Sequence, residues 1–193
     1  MSKQSQDYVE ARLKGWGLPT STPIRALFEW CSQAKGVDRL LLSARLEKES
    51  KEPILLEPEV ENTVSSVFGD KVLARKLARK WPGTELIGHP GMVYEIAFVS
   101  SLIDRMERIG PRLADWQMSS RPPLPEDPCL FSSEAEWPVL VSVTHEGDAW
   151  ILSEERPPFC SEDSFVFRPE NLLVPPASQG FLQVWEGGVH PDR

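Results

Sequence analysis

Apolar side chains are densest between Met92 and Ile109, where the chain reads MVYEIAFVSSLIDRMERI. At about 100° per residue, Met92, Ile96, Val99, Ile103 and Met106 share one face, and Phe98, Leu102 and Ile109 widen it. His89 and Pro90 supply a cap and a first turn, and Gly110-Pro111 an end, so the spacing predicts one long helix over 92–109. A stripe this broad predicts a core helix with other elements packed around it.

Similar periodicity extends toward the N-terminus. Tyr8 or Val9, Leu13 and Trp16 predict a short helix that stops at Gly15 to Gly17. Thr22-Pro23 opens a second, with Ile24, Leu27, Phe28 and Cys31 as its buried stripe and Gly36 as its end. Leu41, Leu42, Arg45 and Leu46, at near-helical spacing, place a helix over 37–48, although the three-leucine run would also suit a strand. The charge run EKESKEP reads as a solvated loop. Pro58 then begins a helix with Val60, Val64, Val67 and Phe68 inward, ending at Gly69. Residues 70–81 fit an amphipathic helix, with Val72, Leu73, Leu77 and Trp81 on one side and Lys71, Arg75, Lys76, Arg79 and Lys80 on the other. TELIG follows as a short strand or extended link, and a short helix is expected around Pro111 to Trp116.

Beyond residue 117 the pattern changes. MSSRPPLPEDP, residues 118–128, holds four prolines in eleven positions, which neither a helix nor a central strand accommodates, so it reads as a linker. Residues 137–155 give the clearest strand signal. Val139, Val141 and Val143 alternate with Leu140, Ser142 and Thr144, Glu146-Gly147-Asp148 supplies a turn, and Ala149 to Leu152 returns as the second arm of a hairpin. Further strands are expected at 129–131, 164–168 and 181–185. The predicted fold is therefore α+β: a helical N-terminal part (1–117) packed around the central helix 92–109, a Pro-rich linker (118–128), and an acidic β-rich part (129–193) forming a small antiparallel sheet, all in one compact domain.

Composition refines this picture. A chain of 193 residues, 40% hydrophobic and 26% charged, is ordinary for a globular protein. No segment reaches the roughly 20 apolar residues a membrane helix needs. The first residues lack the apolar run of a signal peptide, so a cytoplasmic location is expected. Cys31, Cys129 and Cys160 are odd in number and widely spaced, which argues against a disulfide framework or a metal knuckle. The net charge of −8 is unevenly spread. Up to residue 117 there are 17 Lys plus Arg against 16 Asp plus Glu; from 118 onward there are 4 against 13, with no lysine at all. A one-signed field of this kind repels nucleic acid and anionic membranes and steers a basic partner.

Candidate chemistry is sparse. Glu95 falls on the apolar side of the predicted 92–109 helix, where burial would raise its pKa, and His89 at the helix start could complete an acid–base pair. His145 and Glu146 at the hairpin tip form a second pair, expected to be exposed turn or contact residues. With three histidines and no calcium-loop pattern, no metal site is expected, and no cofactor either. There is no G-x-S-x-G elbow, no phosphate-binding G-x-x-x-x-G-K-[ST] loop and no G-x-G-x-x-G. The basic set Lys71, Arg75, Lys76, Arg79 and Lys80 is the one candidate for nucleic-acid binding, a reading the acidic balance of the chain disfavours.

The charge pattern points instead to a non-catalytic binding or inhibitory protein, immunity-protein or antitoxin-like, of bacterial or phage type. Its acidic module would engage a basic partner such as a toxin or a nucleic-acid-binding protein. Glu146, Asp148, Glu154, Glu155, Glu162 and Asp163, with Trp150 as aromatic anchor, are the expected contacts. The alternatives are an enzyme using Glu95 and His89, or a regulator using the basic segment 71–80.

Overall fold

A computed structural model describes residues 13–46, 58–87, 89–135, 137–162 and 164–167. In chain order these form β1 (Leu13–Gly17), α1 (Ile24–Lys35), β2 (Arg39–Ala44), α2 (Pro58–Val67), a 3₁₀ turn at Gly69–Lys71, β3 (Val72–Ala78), β4 (Lys80–Trp81), β5 (Thr84–Glu85), β6 (Gly91–Ala97), α3 (Ser101–Ile109), a 3₁₀ turn at Leu113–Asp115, β7 (Glu126–Phe131), β8 (Leu140–Val143), β9 (Asp148–Leu152) and β10 (Ser164–Phe167). Eight strands make one antiparallel sheet in the order β10-β1-β9-β8-β7-β2-β6-β3, while β4 and β5 pair as a separate small hairpin.

Alternation along each strand gives the sheet two different faces. On one, Leu40, Leu42, Tyr94, Ile96, Leu130, Leu140 and Ile151 pack with Ile24, Leu27, Phe28 and Cys31 of α1, Val60 and Val64 of α2, and Leu102, Ile103 and Met106 of α3. On the other, Leu41, Val93, Cys129, Phe131 and Val141 form a smaller cluster with Ala78 and Trp81, against which Leu86, Trp150 and Leu152 lie half-buried. Gly83, at φ 78°, seats the β4–β5 turn on this second face, where an added Cβ would stand 2.7 Å from Val143 Cγ2.

This arrangement overturns the helical N-terminal part built around a helix over 92–109. Helices and antiparallel strands are both present, but a large sheet draws strands from the whole described chain and the three helices are short. The apolar run at 92–109 is two elements, the strand β6 and the helix α3, joined across Phe98 to Ser100. A strand buried on both faces reads as a nearly continuous apolar run, which mimics a helical stripe. RLLLSA in β2 is explained the same way. The predicted amphipathic helix at 70–81 is a 3₁₀ turn followed by the edge strand β3, whose exposure alternates residue by residue and leaves Leu73 and Leu77 outward. Leu13 to Gly17 is a strand, not the end of a helix, and the segment 118–128 is no mere linker, because β7 begins inside it at Glu126.

The helices starting near Thr22 and at Pro58 and the 140–152 hairpin form as expected, as do the strands at 129–131 and from 164. A single 3₁₀ turn replaces the short helix expected at 111–116. The strand expected at 181–185, the loop EKESKEP beyond Leu46 and the residues before Leu13 lie outside the described residues.

Candidate functional site

The β8–β9 hairpin turns through His145, Glu146 and Gly147, with the Glu146 amide donating to the Val143 carbonyl at 3.0 Å and Gly147 at φ 83°. The tip is anchored from below by Asp127. Two residues of β7, Asp127 and Pro128, stand opposite the single Leu42 of β2, a bulge flanked by the Leu41–Cys129 and Ser43–Glu126 pairs. Asp127 occupies the left-handed region at φ 56°, a conformation that aspartate tolerates better than most residues. A bulge re-aims side chains, and this one sends the Asp127 carboxylate under the hairpin tip.

That carboxylate is fully buried and richly bonded. It accepts from the Thr144 amide at 2.8 Å, Trp81 Nε1 at 3.0 Å and His145 Nδ1 at 3.1 Å, with the hydroxyls of Thr84 at 3.4 Å and Ser43 at 3.5 Å at the outer limit. Thr144 ties the node further, its hydroxyl accepting from the Asp127 amide at 3.0 Å and donating to the Trp116 carbonyl at 2.6 Å. An ionised carboxylate only accepts, so the His145 proton facing it sits on Nδ1, and Nε2 is directed toward Glu146 Oε1 at 3.9 Å. The Asp127 hydrogen bond raises the His145 pKa above its ordinary value, outweighing burial, which acts the other way.

Next to it, Glu126 is also fully buried, and Arg45 from the end of β2 reaches it with two bonds of 2.5 and 3.1 Å. Burial raises the Glu126 pKa, while those bonds lower it. Glu126, Asp127 and His145 bring one ligand atom each within 4.8 Å of one another, a spacing compatible with a cation. Their lone pairs are nevertheless committed: Arg45 already neutralises Glu126, and Asp127 is saturated by donors, so the chemistry of the set favours a structural node over a metal centre.

Of the predicted contacts, Glu146 and Asp148 sit exposed at this tip. Glu154 and Glu155 lie past the opposite end of β9, roughly 20 Å away at about 3.4 Å per residue, with the exposed Glu162 ion-paired to Arg156 at 3.7 Å. The structure thus splits the acidic residues between two ends of one strand. Trp150, opposite Val141, lies half-buried between them on the face away from the helices. Asp163 lies outside the described residues.

Glu95 and His89 are not brought together. Glu95 is buried in β6 facing away from the helices, ion-paired with Arg39, and its Oε2 has no hydrogen-bond partner. His89 is exposed before the start of that strand, and six residues of extended chain put roughly 20 Å between them. Among the basic residues, Lys71 pairs with Asp70 at 2.7 Å, Arg75 with Glu61, and Lys80 with Glu85 at 2.6 Å; Arg79 is exposed and Lys76 half-buried on β3. All three cysteines are buried, which raises the thiols of Cys31 and Cys129 far above their ordinary value and that of Cys160 to about 11.

Sequence reasoning missed Glu126, Asp127 and Arg45. The one available signal was an acidic pair between two prolines directly before an apolar strand, which reads equally well as a solvated linker. No protein-family model, curated protein or solved structure matches the chain.

Proposed function

We propose that this is a non-catalytic binding protein of the immunity-protein or antitoxin type, acting in the cytoplasm, whose acidic hairpin tip engages a basic surface on another protein. The observation that carries the reading is the stiff mounting of the tip. Thr144 and His145 are pinned to the buried Asp127, so Glu146 and Asp148 are held in place before a partner arrives. A preorganised contact loses less entropy on binding. The exposed carboxylates Glu146 and Asp148 stand at this end of the sheet, while the buried Glu126 and Asp127 beneath them are matched by Arg45 and His145. Such a field accelerates encounter with a cationic surface. Glu154, Glu155 and Glu162 supply a second, separate acidic contact, and Trp150 an apolar one between.

Affinity capture with the full chain, identification of a basic binder and titration of that purified binder test the reading. Glu146→Lys with Asp148→Lys is expected to weaken binding at least about tenfold and to flatten its dependence on ionic strength. The reading fails if neither quantity changes.

A further inference from the structure

At the other end of β9 lies a cleft of about 280 Å³, lined by Lys14, Lys35, Trp137, Val139, Ser153 and Glu154 among others. Its size is near the lower end of small-molecule pockets, roughly 300 Å³. Three features give it chemical character. Ser153 is buried, and both its backbone groups are engaged, the amide donating to the Lys14 carbonyl at 3.0 Å and the carbonyl accepting from Trp16 Nε1 at 2.9 Å, yet its Oγ is buried without a hydrogen-bond partner. Buried hydroxyls are ordinarily satisfied, so this one marks a missing partner. Among the described residues, neither lysine is ion-paired: the Lys14 ammonium sits 4.4 Å from the Trp16 ring centroid and that of Lys35 5.9 Å from the Trp30 ring centroid. Among the described lining residues, two ammonium groups against the one carboxylate of Glu154 give the cleft a positive balance in a chain of net charge −8.

We propose that this cleft binds a small organic anion, its carboxylate or phosphate between Lys14 and Lys35, its apolar body against Trp137 and Val139, and a polar atom hydrogen-bonded to Ser153 Oγ. Convergent polar groups on an apolar lining are the general form of a small-molecule site. The cleft lies at the opposite end of β9 from the hairpin tip, so its occupancy and binding through Glu146 and Asp148 are measured separately, while Glu154 is shared with the second acidic contact.

The test is a nuclear magnetic resonance titration of the full chain with benzoate, phenyl phosphate and benzyl alcohol. Saturable shifts of the Ser153 amide and the Trp137 indole N–H are expected with at least one anion, with benzyl alcohol at least about tenfold weaker. The stronger anion distinguishes a carboxylate from a phosphate ligand. Lys14→Glu with Lys35→Glu should abolish the shifts, and Ser153→Ala should weaken binding roughly five- to tenfold. Unchanged spectra of β7 and β8 in each variant show that the fold is retained. Failure of both anions to give saturable shifts, equal binding of the alcohol, or anion binding that survives the double charge reversal would overturn the proposal.

Discussion

Asp127 joins more of the structure than any other single side chain at the tip, reaching the β4–β5 hairpin, β2 and the β8–β9 turn through one carboxylate. Asp127→Ala should cost about 3 kcal/mol or more in a denaturation experiment, since each buried donor left without an acceptor costs roughly 1–3 kcal/mol. Asp127→Asn, which keeps the left-handed backbone and one acceptor, should cost about half as much. His145 adds a pH dependence whose sign follows from its raised pKa. Its contribution is fully present below the unfolded value near 6.5 and is lost as pH rises through the higher folded value. The stability difference between the wild-type chain and His145→Gln should therefore be greatest below about pH 6.5 and shrink above it. A difference that grows with pH would remove the Asp127–His145 ion pair. Glu95 has a simpler role. Arg39→Ala strands a buried carboxylate and should cost about 2–3 kcal/mol, less than the roughly 3–5 kcal/mol of a fully buried pair because Arg39 is itself 41% exposed. Glu95→Gln, leaving Arg39 solvated, should cost less, and paired denaturation curves compare the two.

Among the elements, β3 separates the strand and helix readings most sharply. Leu73 and Leu77 are 52% and 46% exposed on this edge strand, so Leu73→Lys and Leu77→Lys should each change stability by less than about 0.5 kcal/mol. A helix with those leucines inward would lose several times that. The strand also shows what the sequence could not convey. Lysines and arginines between small apolar residues protect a sheet edge from further pairing, and the same letters at the same spacing describe an amphipathic helix. Burial on both faces erases the alternation in β2 and β6, leaving apolar runs in which period carries no information. Where caps and turns are local, as at Pro58, Gly36 and Gly147, the elements were legible. The tip itself was legible as a turn bearing Glu146 and Asp148. Its foundation was not, because Asp127 and Thr144 lie 17 residues apart and meet only through the pairing of β7 with β8.

For the whole molecule, charge and architecture are complementary. The strands from the lysine-free segment sit within a sheet shared with β1, β2, β6 and β3, which gives their acidic turns a rigid base instead of a tethered module. The acidic residues are divided between two ends of β9, and the contribution of each end to binding can be measured separately. The decisive measurement for the proposed binding is the affinity of any basic protein captured by the full chain, at low and high ionic strength, for the wild-type chain, Glu146→Lys with Asp148→Lys, and Glu154→Lys with Glu155→Lys. Binding through the pinned tip predicts a loss of at least about tenfold and a flatter salt dependence for the first pair, with a smaller loss for the second. Wild-type affinity and salt dependence in the tip variant would contradict it.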